Sequence, residues 1–296
     1  MTASNPLILV TGATGRLAGL VLPELASRKA KVRAFIRDQR NAAAVLARGA
    51  AEVAIGDLAD TDSLAAALAG VDRLFYVPPA FMNDEAAVGC KVVDTARRMG
   101  VQRIVLSSAI HPMLTQLINH RAKALVEEHI VASDLEFTLL QPTLVYQNYE
   151  AALAIAARTG VFAEPYSNDS YITRVDYRDV ACVAAIALCE DRLNYGSFEL
   201  CAADHLNREA VAALMAQALQ RPVTAQEISY AEWLAKSGMP ADSALAIGLK
   251  AMFGWYDRHG LRGNATALRA ILGREPRSLL SYFLELCERL PHDERR

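Results

Sequence analysis

The chain has five cysteines, an odd number, and no Cys-x-x-Cys spacing among Cys90, Cys182, Cys189, Cys201 and Cys287. A disulfide framework or thiolate metal knuckle is not expected, and reduced thiols in a cytoplasmic setting fit best. Basic runs are missing and the formal net charge is −2. Direct nucleic-acid binding through phosphate neutralisation therefore has no support. No apolar run reaches membrane-spanning length. Met1–Pro6 shows no basic segment leading into an apolar one, so neither a membrane span nor a secretory leader is expected. Repeats and low-complexity tracts are absent. What the 296 residues do contain is 53% hydrophobic and 22% charged side chains. That composition supports a sizeable core, as one large α/β domain or a core with a smaller lobe.

Against these absences stands Leu7–Val21, LILVTGATGRLAGLV. Leu7-Ile8-Leu9-Val10 has the length of a buried strand. Thr11 to Gly15 form a turn of small residues, and Leu17, Leu20, Val21 and Leu25 recur at helical spacing. Strand, glycine turn and helix together give the glycines a nucleotide-site reading. Gly12 permits a tight turn, Gly15 a close backbone approach to a pyrophosphate, and Ala18 close packing of helix on sheet. The first helical turn would offer N–H groups and the positive dipole end to phosphates. The competing reading is a turn whose glycines serve geometry alone.

The second strand, Val32–Ile36, ends at Arg37-Asp38, the distance at which an adenosine ribose is read. An acid there favours NAD, and a guanidinium favours the 2′-phosphate of NADP. Arg37 stands first, so NADP is expected, with Arg16 adding charge; the alternatives are a surface Arg and an Asp38 that caps the next helix, 41–48. Strand 51–55 leads to Gly56-Asp57-Leu58 and helix 61–68. Strand 71–77 ends in Val77-Pro78-Pro79, a rigid exit over which a cofactor would pass. Helix 86–99, strand 101–106 closing in Ser107-Ser108, helix 118–133 and strand 137–140 before Gln141-Pro142 follow. Five β-α units and a sixth strand predict an α/β fold with a parallel, doubly wound sheet. From Asn148 on the pattern changes: 149–158 reads as helix, 160–170 as loop, 172–176 as strand, and 178–189 as an apolar helix returning to the core, on which Cys182 and Cys189 read as core. Strand 197–201 and a helix capped by Asn207 come next, and 230–289 is nearly all helical in pattern. The expected division is a core of 1–150 with 171–201, and a smaller, mainly helical lobe of 151–170 with 202–296.

TGATGRLAG, FIRD, the GDL turn, KALVEEHI, QPTLVYQN and the terminal LGREPRSLLSYF together resemble the NmrA-like family of atypical short-chain dehydrogenase/reductases. They are similar also to its branch of NADPH-dependent quinone and triphenylmethane-dye reductases. The resemblance implies a Rossmann core holding NADP(H) and a lobe on its nicotinamide side. It implies cofactor contacts from Gly12, Thr14, Gly15, Arg16, Leu17, Arg37, Val77, Pro78 and Pro142, from Asp57 and Leu58 at the adenine, and from Ser107. It covers oxidoreductases and also dinucleotide-binding regulators that act on a protein partner.

Conventional members of the superfamily protonate a carbonyl with the Tyr of a Tyr-x-x-x-Lys pair. None of the ten tyrosines has Lys four residues on, and Asn119 stands four before Lys123. Lys123 matches the family's ribose-positioning lysine; its other reading is an exposed helix pair with Glu127. Without the acid, hydride can still pass to an already electrophilic carbon, with water supplying the proton, so long as donor and acceptor are held together. The expected substrate is a planar conjugated small molecule, with Phe81, His111 and Tyr146 as lining candidates, while Phe253, Trp255 and Tyr256 read as core. The rival readings are an NADP(H) redox sensor with little turnover and a sugar-nucleotide epimerase, the latter weakened by the missing pair. A homo-oligomer or a regulatory partner remains open.

Overall fold

The computed structural model describes residues 6–79, 81–82 and 84–290. In chain order the elements are β1 (Leu7–Val10), α1 (Ala18–Ser27), β2 (Lys31–Ile36), α2 (Ala42–Ala47), β3 (Glu52–Ile55), α3 (Thr61–Leu68), β4 (Arg73–Tyr76), α4 (Glu85–Arg98), β5 (Arg103–Ser107), α5 (Ile118–Val131) and β6 (Glu136–Pro142). They continue with β7 (Leu144–Val145), α6 (Glu150–Thr159), β8 (Val161–Glu164), β9 (Ile172–Val175), α7 (Tyr177–Cys189), β10 (Gly196–Leu200), β11 (His205–Leu206) and α8 (Arg208–Leu219). β12 (Thr224–Glu227), α9 (Tyr230–Ser237), α10 (Ala244–His259), α11 (Thr266–Leu272) and α12 (Leu279–Arg289) complete the chain.

Two compact units result. Unit 1 holds the residues up to Pro142 together with Tyr177–Glu199; unit 2 holds Thr143–Asp176 and the residues from Leu200 on. The division falls at Pro142 where 150 was expected, because Leu144–Val145 leaves the large sheet to pair with β9. The returning segment is correspondingly shorter than 171–201, since β9 belongs to unit 2.

Unit 1 is built on a seven-stranded sheet of order β10-β6-β5-β4-β1-β2-β3, and β6, β5, β4, β1, β2 and β3 pair in parallel. β1 and β5 are buried at every residue, as strands covered on both faces must be. The two-residue period sorts their side chains. Leu7, Leu9, Leu74, Tyr76, Ile104 and Leu106 join one core cluster with α3, α4 and α5. Ile8, Val10, Phe75 and Val105 alternate onto the opposite face, where α1 packs against α7. Chain progression runs from β1 outward to β3, then resumes at β4 on the other side of β1. The β1/β4 boundary is thus the topological switch point, and the crevice beyond its carboxyl ends is where such sheets bind ligands.

At the opposite, amino ends of the strands, three arginines meet the carboxyl ends of helices. Arg33 donates to the carbonyls of Ala67 (2.6 Å) and Ala69 (2.9 Å) at the close of α3. Arg73 donates to Leu188 O at the close of α7. Arg103, 2% exposed, donates to Ala187 O, Glu190 O, Glu136 and Asp191. Unpaired helix carbonyls and the negative dipole end account for cations here.

Unit 2 is less purely helical than the sequence predicts. β9 sits between β7 and antiparallel β11, and β8 pairs in parallel with β12 inside what reads as a loop. These strands hold two to four residues, and the TAQE of β12 has no alternating apolar pattern to disclose it. The core joins Tyr146, Tyr149, Leu153 and Phe162 to α8 and α12. Asn207 caps α8 through Ala210 N–H, as expected. Among the described residues none of the five cysteines is in a disulfide, and Cys182 and Cys189 are half-buried and not fully in the core. Among the described residues no helix is long and apolar enough to cross a membrane.

Replacing Arg103 by Met should strip the α7 carbonyls of their donor and leave Glu136 without its buried partner. A loss of about 3 kcal/mol in unfolding free energy is expected. Urea denaturation followed by circular dichroism measures it, and a midpoint unchanged from the wild type would refute the capping role.

Candidate functional site

The site at the switch point begins with Thr11. Its backbone N–H and its hydroxyl both donate to Phe75 O, and the hydroxyl accepts from Val77 N–H at 3.0 Å, which bolts the turn to the end of β4. Gly12 follows with φ +60°, a conformation that side chains resist. Gly15 N–H closes the turn on Gly12 O at 2.8 Å, and a Cβ at Gly15 would lie 3.0 Å from that same oxygen. Gly12, Thr14, Gly15 and Arg16 are exposed, while Ala13, Leu17 and Ala18 are buried beneath them. Among the described residues the N–H groups of Ala13, Thr14 and Leu17 make no backbone hydrogen bond. α1 also has no side-chain cap and no acid in its first turn. An anion placed there would meet these N–H groups and the positive end of the α1 dipole.

Arg37 and Asp38 part company in the structure. Asp38 accepts from Arg40 N at 2.9 Å and pairs with the Arg40 guanidinium at 2.5 Å. Arg40 holds its carboxyl below the ordinary value. Asp38 is thus the cap of a short 3-10 turn, and Arg37, exposed, makes no hydrogen bond or ion pair among the described residues. A third guanidinium, unread in the sequence, lies nearby: Arg48 Nη1 would be 2.4 Å from a Cβ placed at Gly19 in the first turn of α1. Asp57 is exposed and accepts from Ala59 N at 2.9 Å; Leu58 packs its side chain on the core cluster.

Along the same edge, Val77 lies against Gly12, and Pro78 is buried beside it. Ser107 ends β5, and Ser108 N–H and Ile110 N–H bind Leu140 O and Pro142 O of β6. Turn, Val77-Pro78, Ser107 and Pro142 are thereby placed on neighbouring strand ends. Of the five non-glycine residues with positive φ among the described residues, two flank this edge, Phe81 at +62° and His111 at +49°. Strained backbone of this kind collects at functional sites. His111 Nδ1 lies 2.9 Å from Glu199, and its carbonyl accepts from His120 Nδ1 at 3.0 Å. Burial pushes the His120 ring below its ordinary pKa, so it is neutral with the proton on Nδ1.

Lys123 is neither open nor paired with Glu127. It is 7% exposed, and its Nζ sits 2.5 Å from Oε1 of Glu85, which is 3% exposed. Oε2 of Glu85 accepts from Phe81 N–H at 3.2 Å. Glu127 is turned to Gln141, whose Nε2 lies 3.0 Å from both carboxylate oxygens, and burial raises its pKa. Glu85 was missed because nothing in a sequence links it to a lysine 38 positions on. Its place in the first turn of α4, where a carboxylate complements the dipole, is the one legible hint. Tyr146, the remaining lining candidate, is 1% exposed in the unit 2 core, with its hydroxyl donating to Arg277 O at 3.0 Å. Among the described residues no cluster of His, Cys, Asp or Glu could hold a metal.

The Glu85–Lys123 pair sets a stability test. Glu85→Leu or Lys123→Met should each cost about 3–5 kcal/mol by stranding a buried charge. The double change Glu85→Leu/Lys123→Met should cost less than either, and an additive loss in urea unfolding would show the pair to be uncoupled.

Known proteins share this architecture. An NAD(P)H azoreductase of Xenophilus azovorans is 27% identical over 278 residues, covering 93% of this chain and 96% of that protein. The crystal structure of an NADPH-dependent quinone oxidoreductase of Escherichia coli complexed with NADPH superposes with TM-score 0.83 at 26% identity, over 94% of this chain and 99% of that one. A Citrobacter triphenylmethane reductase complexed with NADP(H) matches in fold with TM-score 0.84 at 22% identity, over 94% and 99%. With residues 4–285 matched along their length, the chain belongs to the NmrA-like family.

Proposed function

We propose that this chain is an NADPH-dependent reductase that passes hydride to a planar, conjugated small molecule such as a quinone, an azo compound or a dye. The observation that carries the reading is the uncapped amide turn after β1 beside an uncommitted Arg37. The names of the azoreductase and quinone oxidoreductase relatives support it.

The residues present fit NADP(H). The exposed turn and the start of α1 receive the diphosphate, with Leu17 buried beneath. Arg37, with Arg16, takes the 2′-phosphate, because Asp38 is already committed to Arg40. Asp57 has one carboxylate oxygen held by the turn and offers the other to the adenine side, with Leu58 below. Val77, Pro78, Ser107 and Pro142 form the floor toward the nicotinamide ribose, and Lys123 is carried as its positioning charge, oriented by Glu85. When bound, the reduced nicotinamide supplies the hydride. Phe81 and His111 are the unit 1 candidates for the substrate side. Asn119 stands where the conventional acid would be, so the acceptor must be electrophilic without protonation at that position. The protein contributes orientation of donor and acceptor, and solvent supplies the proton. A non-catalytic regulator is the other reading of such a site, and no separate observation favours it.

Two measurements test this. Purified protein mixed with NADPH and a panel of quinones, azo compounds and triphenylmethane dyes should consume the reduced-nicotinamide absorbance. Tight NADPH binding with no consumption across the panel would overturn turnover. Arg37→Ala should weaken NADPH by about 1.5–3 kcal/mol, the range for hydrogen bonds to charged groups, and leave NADH nearly unchanged. Equal losses for both, by calorimetry, would remove Arg37 from the 2′-phosphate.

A further inference from the structure

Unit 2 contains a cavity of about 610 Å³ bounded by α6, β8, β12 and α9. That volume lies in the range of small-molecule sites, roughly 300–1,000 Å³. Its walls are mostly apolar, with Ile155, Phe162, Ile228 and Trp233 prominent. Most of its polar side chains are spent inside the protein. Thr159 donates to Ile155 O, Ser237 donates to Leu234 O, and Lys236 pairs with Glu232 at 2.8 Å. Glu164 and Gln226 line the cavity without a side-chain hydrogen bond or ion pair among the described residues.

Charge balance narrows the ligand. Arg174 and Arg208, 2% and 1% exposed, act on Glu164 from β9 and α8 and favour its ionised form. Arg174 Nε and Nη1 are bound to Tyr149 and to the Ile172 and Leu206 carbonyls, and Arg208 Nη1 and Nη2 to Asn168 and to the Gln226 and Tyr166 carbonyls, while Arg208 Nε is buried without a hydrogen-bond partner among the described residues. Two buried guanidiniums facing one carboxyl disfavour a further cation, and because their donors are spent within the protein or, for Arg208 Nε, buried, they offer an anionic ligand no direct contact. The other ionisable groups around Glu164 are Tyr149, Tyr166 and Tyr256, the paired Lys236, and exposed Glu227, its register partner on β12. Burial outweighs the arginines and pushes the Glu164 carboxyl up to about 7. The neutral acid is therefore present in quantity at physiological pH and is a hydrogen-bond donor.

We propose that this cavity is a binding site for a neutral, flat, largely apolar molecule with a carbonyl-type oxygen, which accepts a hydrogen bond from the Glu164 carboxylic acid while its rings lie against Trp233. The site stands on unit 2 alone, and its test needs no dinucleotide, so failure of the reductase reading would leave it untouched.

Trp233 provides the signal. A Trp255→Phe background leaves it as the sole tryptophan. Its quenching is titrated with 9-fluorenone, with fluorene (the same rings without oxygen) and with the 9-aminoacridine cation. Fluorenone should bind saturably and at least about tenfold more tightly than either of the others. Because only the protonated acid donates, and its pKa is near 7, affinity should fall about tenfold from pH 6 to pH 8. Glu164→Gln keeps a donor that does not titrate, so it should bind fluorenone with no pH dependence over that interval. No saturable quenching, equal binding of fluorene, preference for the cation, or a wild-type affinity flat with pH would each overturn the proposal. So would an unchanged pH slope in Glu164→Gln. The probe comparison on the Glu164 protein holds even if the variant does not fold.

Discussion

The parallel sheet forces every helix of a β-α unit to run back against its strands, and most of unit 1 follows from that constraint. Helix carboxyl ends, with their unpaired carbonyls, collect at the strands' amino ends. There Arg33, Arg73 and Arg103 supply donors and positive charge. Helix amino ends collect at the other edge, where α1 is left uncapped over a turn of small residues. At one edge the carboxyl ends of α3 and α7 are met by the protein's own side chains, and at the other the amino end of α1 has no side-chain cap. The same backbone polarity thus separates what holds the sheet together from what the sheet binds.

The carboxyl edge also shows how neighbouring charges are assigned different tasks. Arg37 and Asp38 are adjacent in sequence, yet the backbone turn after β2 hands Asp38 to Arg40 and leaves Arg37 unspent. Lys123 and Glu127, one helical turn apart, go to separate partners, Glu85 and Gln141. In both places the decision is made by what lies across the fold or around the next turn, and the i to i+4 arithmetic of a helix is overridden.

That pattern marks the limit of what was legible beforehand. The strands of unit 1, their parallel order and the glycine turn could be read because burial on both faces writes continuous apolar runs, and because Gly12 needs φ +60°. The cap role of Asn207 was also readable, being local, whereas Asp38, whose alternative reading was a cap of helix 41–48, caps the short 3-10 turn before it. Glu85 was invisible, since a pair 38 residues apart leaves no periodic trace. The burial of Tyr146 was not readable, because an aromatic residue after a strand end looks alike whether it lines a cavity or fills a core. β8 and β12 escaped because a four-residue strand stabilised by its neighbour needs no alternation of its own.

The late return of α7 has a consequence for biogenesis. Unit 1 is discontinuous: its sheet is nearly complete at Pro142, but the helix that covers one face, and whose carbonyls receive Arg73 and Arg103, arrives only with Tyr177–Glu199. A nascent chain must therefore hold a partly covered hydrophobic layer while the 47 residues from Thr143 to Cys189 are translated, a delay of seconds at ribosomal speeds of about 5–20 residues per second. During that interval the half-built sheet is the species that chaperones would meet.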